Sequence, residues 1–296
     1  MNIAGILMTV ISAMIFGFTP VLTKYIYGLG GNAMTVIFYR NLIIMPVLYL
    51  LAKRQHASFQ MRGEMRLNML ITGVIGSTGT TLLLSYSYNW ISVGTATTLH
   101  FLYPIFVALL CRFCYGEKLG GGKTLALILA LLGTCCFMDL HDMEKMGGLL
   151  MAVGSGCTYA FYMVLTEKKN LKEINPFVYS FNISLIICVC MLLLNLFTHE
   201  IIWRLDLVCL GLIVLLAILN SVFAITLLQV GIKKLGATTA SIFCLFEPIN
   251  SVVCEWLFLN ESLSFSKLLG CTIIIAAIVL LVVFENRKVK QRRKAA

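Results

Sequence analysis

The chain has 296 residues, of which 59% are hydrophobic and 12% charged, and its mean hydropathy is +0.93. This composition excludes a soluble globular domain and indicates an all-α integral membrane protein. The net charge of +10 does not indicate nucleic-acid binding, because the basic residues concentrate in short segments between apolar runs and in the C-terminal tail.

Apolar windows of about 20 residues predict ten transmembrane helices. They account for nearly the whole chain, and no loop between them is long enough to hold a soluble domain. The helices are expected at about 3–25, 33–52, 67–88, 93–115, 122–139, 147–166, 177–197, 207–230, 237–259 and 265–284.

The distribution of basic residues predicts the orientation. If the N-terminus is cytoplasmic, 18 of the 23 Lys and Arg residues fall on the cytoplasmic side. The positive-inside rule therefore predicts that both termini are cytoplasmic. We interpret the basic tail 287–296 as contacting anionic lipid or fixing this topology. Residues 3–25 are expected to be a retained helix, since no cleavage site follows a short apolar core.

The chain contains an internal repeat. A shift of 143 residues matches Ser12 to Lys24 with Ser155 to Glu167, with identity at five of 13 positions. In the fourth and ninth helices the shift is 144. Each repeat holds five helices, and this odd number predicts that the second repeat is inverted. We assign 1–142 to the first repeat and 143–286 to the second, followed by the tail 287–296.

Each repeat carries a proline followed 13 residues later by a glutamate, namely Pro104 with Glu117 and Pro248 with Glu261. Proline removes a helix hydrogen bond, so Pro104, Pro248 and Pro20 are expected to kink their helices. Glu117 and Glu261 are expected at opposite membrane faces, where they cap helix ends or hold loops.

Glu247 lies inside an apolar run that is long enough to span a bilayer. A carboxylate in lipid is costly, so we expect it to face a cavity and to contact a substrate ammonium, a proton or both. A structural hydrogen bond at the proline is the alternative. His100 is either a ligand contact or a packing histidine. The candidate substrate-binding residues are Glu247, His100, Tyr103, Tyr159, Tyr162, Phe16, Asn220 and Ser77.

Helical spacing supports these assignments. On the first helix Thr9, Ser12, Phe16, Thr19 and Thr23 recur at steps of 3, 4, 3 and 4, which places them on one face. A similar stripe on the ninth helix comprises Ser241, Cys244, Glu247, Ser251 and Glu255. The alternative is that the serines and threonines join helices or bond to their own backbone.

Other polar positions have simpler interpretations. Lys24 and Arg40 lie near the expected outer interface, where snorkelling to the headgroups is the ordinary interpretation and gating the alternative. The glycines at 73, 76 and 79 are expected to allow close approach of neighbouring helices, and cavity lining is the alternative.

Metal and nucleotide sites are not expected. The 11 cysteines are scattered through apolar segments and imply no disulfide framework. Cys111 and Cys114 have the spacing of half a zinc site, but no second pair follows. Gly122-Lys123-Thr124 lacks the glycine five residues earlier and the preceding strand of a phosphate-binding loop. We expect no cofactor and no enzymatic activity, since the helices hold almost no clustered ionisable groups.

The five-plus-five repeat, the two proline–glutamate motifs and the Glu247-Pro248 step resemble the EamA-type, ten-helix members of the drug/metabolite transporter superfamily. The resemblance covers essentially the whole chain and departs at Asn260, where the family usually has glycine. It implies a carrier of bacterial cytoplasmic membranes that exports amino acids or related metabolites through a cavity between the repeats.

An inverted-repeat carrier would work by alternating access. The alternative is a proton-coupled multidrug exporter like the small four-helix relatives. Those place an essential glutamate in the first helix, which here has no acidic residue. The expected partners are a small-molecule substrate, membrane lipid and, where coupling exists, protons. We expect a monomer, because one chain holds both halves of the pathway.

Overall fold

The computed structural model describes residues 2–91, 93–118, 120–136, 144–259 and 264–295. Within these residues the structure is helical, as expected, with no strand. The helices are α1 (Ile3–Gly28), α2 (Ala33–Arg54), α3 (Gly63–Ser87), α4 (Val93–His100), α5 (Tyr103–Tyr115), α6 (Gly121–Cys135), α7 (Met146–Lys168), α8 (Pro176–Thr198), α9 (Leu207–Leu235), α10 (Ala237–Phe243), α11 (Phe246–Leu259) and α12 (Phe265–Ala295).

Nine membrane-spanning segments in the described part of the chain are long and apolar enough to cross a bilayer, with α4–α5 and α10–α11 each forming one of them. The shorter α6 is the tenth apolar segment. It packs antiparallel along α12, because a Cβ added at Gly122 would lie 2.5 Å from Phe284 and one at Gly133 would lie 2.8 Å from Ile274. The ten-segment architecture is therefore confirmed. The last helix continues through the basic tail to Ala295.

Equivalent residues begin equivalent helices in the two repeats. The Asn32 side chain accepts a hydrogen bond from the Thr35 amide at 2.8 Å and starts α2, whereas Asn175 accepts one from the Phe177 amide at 3.0 Å and starts α8. Both are N-caps, which bind amides that have no partner within the helix. The two positions are 143 residues apart, which is the shift of the repeat.

The repeats also share two irregularities. A π-helical segment interrupts α3 at Thr72–Thr78 and α9 at Ile218–Ala224. The fourth and ninth segments are each broken into two helices, one break following His100 and the other following Phe243. The next helix starts at Tyr103 after the first break and at Phe246 after the second.

The breaks change the interpretation of two prolines. In place of a kink within a continuous helix, Pro104 and Pro248 stand in the first turn of a new helix. Proline is well tolerated there, because a first-turn N–H has no partner within the helix. Pro20 lies inside α1. The Phe16 carbonyl, which Pro20 leaves without its usual amide donor, accepts a hydrogen bond from Thr19 Oγ1 at 2.8 Å.

The bundle has two ends, which we name by their residues. The termini face holds the start of α1 and the ends of α9 and α12, since Gly5 packs against Leu235 and Gly122 against Phe284. The opposite face holds the end of α1, where the Asn32 side chain donates to the Glu200 carbonyl at 2.7 Å. The cytoplasmic location of the termini face remains a prediction from the basic residues.

Candidate functional site

Four of the predicted site residues lie together in the bundle. The rings of His100 and Tyr103 are 5.4 Å apart, Tyr103 meets Tyr159 edge-on at 4.8 Å, and Tyr159 stacks on Tyr162 at 5.7 Å. Tyr179 extends the group at 6.2 Å from Tyr162. We call these five residues the aromatic cluster. Sequence reasoning missed Tyr179, which lies on α8.

Helix breaks and small residues position the aromatic cluster. The break between α4 and α5 places the last residue of one helix, His100, beside the first residue of the next, Tyr103. Gly156 lets α7 approach this break, because a Cβ there would lie 2.9 Å from the His100 carbonyl. Gly76 lets α3 approach Tyr162, where an added Cβ would be 2.8 Å from the tyrosine Cβ. These contacts confirm the close-approach interpretation of Gly76.

Some polar groups of the aromatic cluster have partners within the protein. His100 Nδ1 lies 3.0 Å from Ser155 Oγ, and Tyr179 Oη lies 2.7 Å from Thr166 Oγ1. These hydrogen bonds favour a packing role for His100. The buried Tyr103 hydroxyl differs, since it lies beside the Cys244 thiol without a hydrogen bond of good geometry to any described residue. A buried hydroxyl without a partner is costly and can accept a ligand.

Glu247 lies next to this cluster, in the first turn of α11. Its backbone amide donates to the Cys244 carbonyl at 2.9 Å, and its carboxylate is close enough to Tyr103 and Tyr159 for electrostatic interaction with both. The side chain is half-buried, and its facing a cavity stays a prediction.

No described residue forms a hydrogen bond or ion pair with the Glu247 carboxylate. An ionised carboxylate inside a membrane protein is costly unless it has a partner. The face of a tyrosine ring carries partial negative charge, which attracts cations rather than anions. The site as it stands is therefore suited to bind a cation.

Helix α1 packs tightly against α11 at Gly17, the residue that follows Phe16. A Cβ on Gly17 would lie 2.5 Å from the Glu247 carbonyl oxygen, so only glycine fits there without a shift. Asn250 Nδ2 donates to the Met14 carbonyl at 2.6 Å, and Ser251 Oγ donates to the Gly17 carbonyl at 2.9 Å. Phe16 itself is half-buried against the main apolar core.

The last two candidates lie on the π-helical segments. Ser77 is half-buried and follows Gly76, which contacts the aromatic cluster through Tyr162. Asn220 is 7% exposed, and none of the described contacts joins it to that cluster. Nearby hydrogen bonds instead tie this part of α9 to other helices, as in Ser12 Oγ to the Ala224 carbonyl at 2.8 Å.

Many serines and threonines of the described helices bond to the backbone of their own helix. Thr9 Oγ1 donates to the Gly5 carbonyl at 2.9 Å, and Thr23 Oγ1 donates to the Thr19 carbonyl at 2.9 Å. Ser241 bonds to the Thr238 carbonyl at 2.9 Å. The alternative interpretation of these polar stripes as structural therefore fits the serines and threonines. The ninth-segment stripe is also split by the helix break, and the Glu255 side chain lies outside the described residues.

A charged network links the repeats at the termini face. Lys168 Nζ forms an ion pair with Glu117 of the first repeat and another at 3.2 Å with Glu167 of the second. Glu167 also accepts a hydrogen bond from the Ala237 amide at 2.7 Å, at the start of α10. We call these four residues the termini-face latch. Glu117 thus holds a loop, as expected, whereas Glu261 lies outside the described residues.

The termini-face latch includes donor atoms of the kind that bind metals. The ligand atoms of Cys111, Glu117 and Glu167 lie within 4.8 Å of one another. The Lys168 ammonium pairs with both carboxylates, so it already supplies the positive charge that a metal would bring. Cys114, the other half of the sequence motif, is exposed. Glu117, Glu167 and Lys168 form an ion-pair network.

The comparisons with known proteins agree with this architecture. The chain is 24% identical over 312 aligned positions to an uncharacterized transporter of Synechocystis, covering 95% of this chain and 93% of the relative. An uncharacterized transporter of Haemophilus influenzae is 29% identical over 58% of each chain. Human solute carrier family 35 member G1 is 23% identical over 55% of this chain and 48% of its own length.

A solved crystal structure superposes with a TM-score of 0.79 at 14% identity and covers 95% of this chain and 98% of its own, which supports the fold. The model of the EamA-like transporter family matches twice, at residues 3–138 and 146–283. The protein is therefore a multi-pass transporter of the cytoplasmic membrane rather than an enzyme, and it belongs to the EamA-like transporter family.

Proposed function

We propose that this transporter exports amino acids or related metabolites that carry an ammonium group. The observation that carries the proposal is the Glu247 carboxylate, which has no hydrogen-bond or ion-pair partner among the described residues and interacts electrostatically with Tyr103 and Tyr159. An ammonium group would form charge-assisted hydrogen bonds with the carboxylate and cation–π contacts with the rings. The Tyr103 hydroxyl offers a further acceptor at the same place.

The inverted repeats support alternating access as the transport cycle. The termini-face latch joins Glu117 of the first repeat to Lys168 of the second, so it holds the two repeats together at that face. Opening it would give the Glu247 site access to the termini face, and closing it would isolate the site from that face. We propose that substrate enters there, from the cytoplasm, when the latch opens.

Proton coupling is part of the proposal and rests on the same carboxylate. A single carboxylate cannot hold a proton and pair with an ammonium group at the same time. If the outward-facing site takes up a proton as the substrate leaves, export is coupled to proton entry.

Uptake into proteoliposomes tests this function. A panel of radiolabelled amino acids is measured with and without a pH gradient in the native protein, Glu247→Gln and the control Glu64→Gln, which changes an exposed residue at the start of α3. We expect saturable, gradient-stimulated uptake that Glu64→Gln retains and Glu247→Gln loses. Uptake that survives Glu247→Gln would contradict the role of this carboxylate.

Multidrug export is the second candidate, because an aromatic cluster with one carboxylate also suits a lipophilic cation. The two functions differ in which compounds compete. Inhibition of uptake by unlabelled amino acids, but not by a quaternary ammonium compound, supports metabolite export. Transport of the quaternary compound, with no uptake of any amino acid, would replace the first proposal with the second.

A further inference from the structure

An apolar groove lies between α5 and α7 and opens to the outside of the bundle. Its volume is about 270 Å³. Both helices belong to membrane-spanning segments, and several of the lining side chains are exposed, so the groove opens to lipid. The lining consists of Phe106, Leu109, Leu110, Phe113 and Cys114 of α5 together with Cys157 and Phe161 of α7.

The groove runs along the two helices toward the termini face. At its deep end, a Cβ added at Gly156 of α7 would lie 3.5 Å from Phe106 Cε2. At the other end the helices still meet, since Lys168 Nζ lies 5.8 Å from the centre of the Tyr115 ring. The eight residues from Phe106 to Cys114 correspond to about 12 Å of helix. This length is close to the roughly 15 Å of hydrocarbon in one leaflet.

The chemistry of the lining fits a hydrocarbon chain. None of its seven residues carries a charged group or a hydroxyl. On α5 the lining positions recur at steps of 3, 1, 3 and 1, so they form one continuous face of that helix. An elongated apolar groove of this kind is complementary to an acyl chain lying along the helices.

Basic residues lie at the end of the groove nearest the termini face. Arg112 is in the last turn of α5, and Lys169 directly follows the end of α7. Both are exposed, and neither forms an ion pair with a carboxylate of the described residues. The two carboxylates of the termini-face latch pair with Lys168 instead. Basic residues beside a groove between membrane helices are complementary to an anionic lipid headgroup.

We propose that this groove binds one anionic phospholipid of the leaflet at the termini face. An acyl chain lies between α5 and α7, and the headgroup phosphate contacts Arg112 and Lys169. Helix α5 belongs to the first repeat and α7 to the second, so the bound lipid contacts both repeats at once. The site does not depend on which substrate the protein transports.

Native mass spectrometry of the full chain in detergent tests the headgroup contacts. Equimolar phosphatidylglycerol and phosphatidylcholine with the same acyl chains are added, and the ratio of the two bound lipids is measured. The native protein is compared with the double variant Arg112→Gln/Lys169→Gln. The control is Arg54→Gln/Arg66→Gln, which removes two exposed basic residues at the end of α2 and in α3.

We expect the native protein to prefer phosphatidylglycerol. Each basic residue near an anionic headgroup contributes roughly fivefold in affinity, so Arg112→Gln/Lys169→Gln should lower the preference at least about tenfold, whereas the control should retain it. An equal loss in both double variants would show that the positive charge of the whole surface attracts the lipid. That result, or a native protein without preference, would overturn the proposal.

The cysteines of the groove report on the acyl chain in the native protein. Cys114 and Cys157 are exposed and line the groove, whereas Cys135 is exposed at the end of α6 and does not. Labelling by N-ethylmaleimide is followed by mass spectrometry with and without added phosphatidylglycerol. We expect the lipid to slow labelling of Cys114 and Cys157 several-fold and to leave Cys135 unchanged. Equal slowing of all three cysteines, or of none, would overturn the placement of the chain.

Discussion

The contact between α1 and α11 makes Gly17→Ala a sharp test of how the Glu247 site is held. The added Cβ would lie 2.5 Å from the Glu247 carbonyl oxygen, 3.0 Å from Asn250 Cβ and 3.1 Å from the Ser251 amide. Ordinary van der Waals contact begins at 3.4 Å, so the two helices must separate by about 0.9 Å. Two of the three clashing atoms belong to backbone, which cannot move aside as a flexible side chain can.

This separation should weaken both stability and binding. Overpacking costs about 1–3 kcal/mol, and the hydrogen bonds from Asn250 and Ser251 to α1 contribute about 1 kcal/mol each. We expect the apparent melting temperature to fall by at least about 4 °C. Because α11 carries Glu247 with it, the half-saturation concentration should also rise, by roughly tenfold for a displacement near 1 Å.

The control is Gly211→Ala, in α9, where an added Cβ would meet no atom within 4 Å. Alanine is a better helix former than glycine, so this variant should melt no lower than the native protein. A thiol-reactive dye assay on detergent-solubilised protein gives the melting temperature, and proteoliposome uptake gives the half-saturation concentration. If Gly17→Ala matched Gly211→Ala in both, the packing argument would be refuted.

Three further variants test other parts of the account. Glu117→Gln removes one ion pair of the termini-face latch, so it should favour the state open to that face by about 1–2 kcal/mol, roughly 5–30-fold in population. Mass spectrometry should then detect faster labelling of the buried Cys111 by a water-soluble maleimide. An unchanged labelling rate would refute the gating role. Gly236→Ala places a residue with a side chain at φ +79° and ψ 157°, which should reduce the free energy of unfolding by about 1–3 kcal/mol and lower the melting temperature. A variant that melts at the native temperature would contradict this backbone strain. Ser155→Ala leaves His100 Nδ1 without its hydrogen-bond partner, which should reduce the free energy of unfolding by about 1–3 kcal/mol and lower the melting temperature. An unchanged melting temperature would argue against a structural role for this histidine.

The fold could be predicted because its determinants are local or repeated. Apolar segments of bilayer length locate the helices, and the shift of 143 residues locates the repeat. The breaks after His100 and Phe243 were harder to anticipate. A proline within an apolar run fits either a kinked helix or the first turn of a new one, and tertiary packing decides between them.

The site was only partly predictable. Tyr103, Tyr159 and Tyr162 were among the substrate-binding residues predicted from the sequence. Tyr179 was missed, because only the packing of α8 against α7 brings it to Tyr162. The snorkelling of Arg40 stays a prediction, because one cation near a helix end has the same sequence pattern whether it faces lipid or protein. Its surroundings depend on how α1 and α2 pack.

The central claim is that the Glu247 carboxylate binds the ammonium group of the substrate. A competition experiment tests this claim most directly. Uptake of the best-transported amino acid, in radiolabelled form, is inhibited either by the same amino acid without label or by its hydroxy acid analogue. Both competitors are measured in the native protein and in Glu247→Gln. We predict that the native protein prefers the amino acid at least about tenfold and that the variant loses this preference. A preference that persists in Glu247→Gln would contradict the claim and assign ammonium recognition to another part of the pathway.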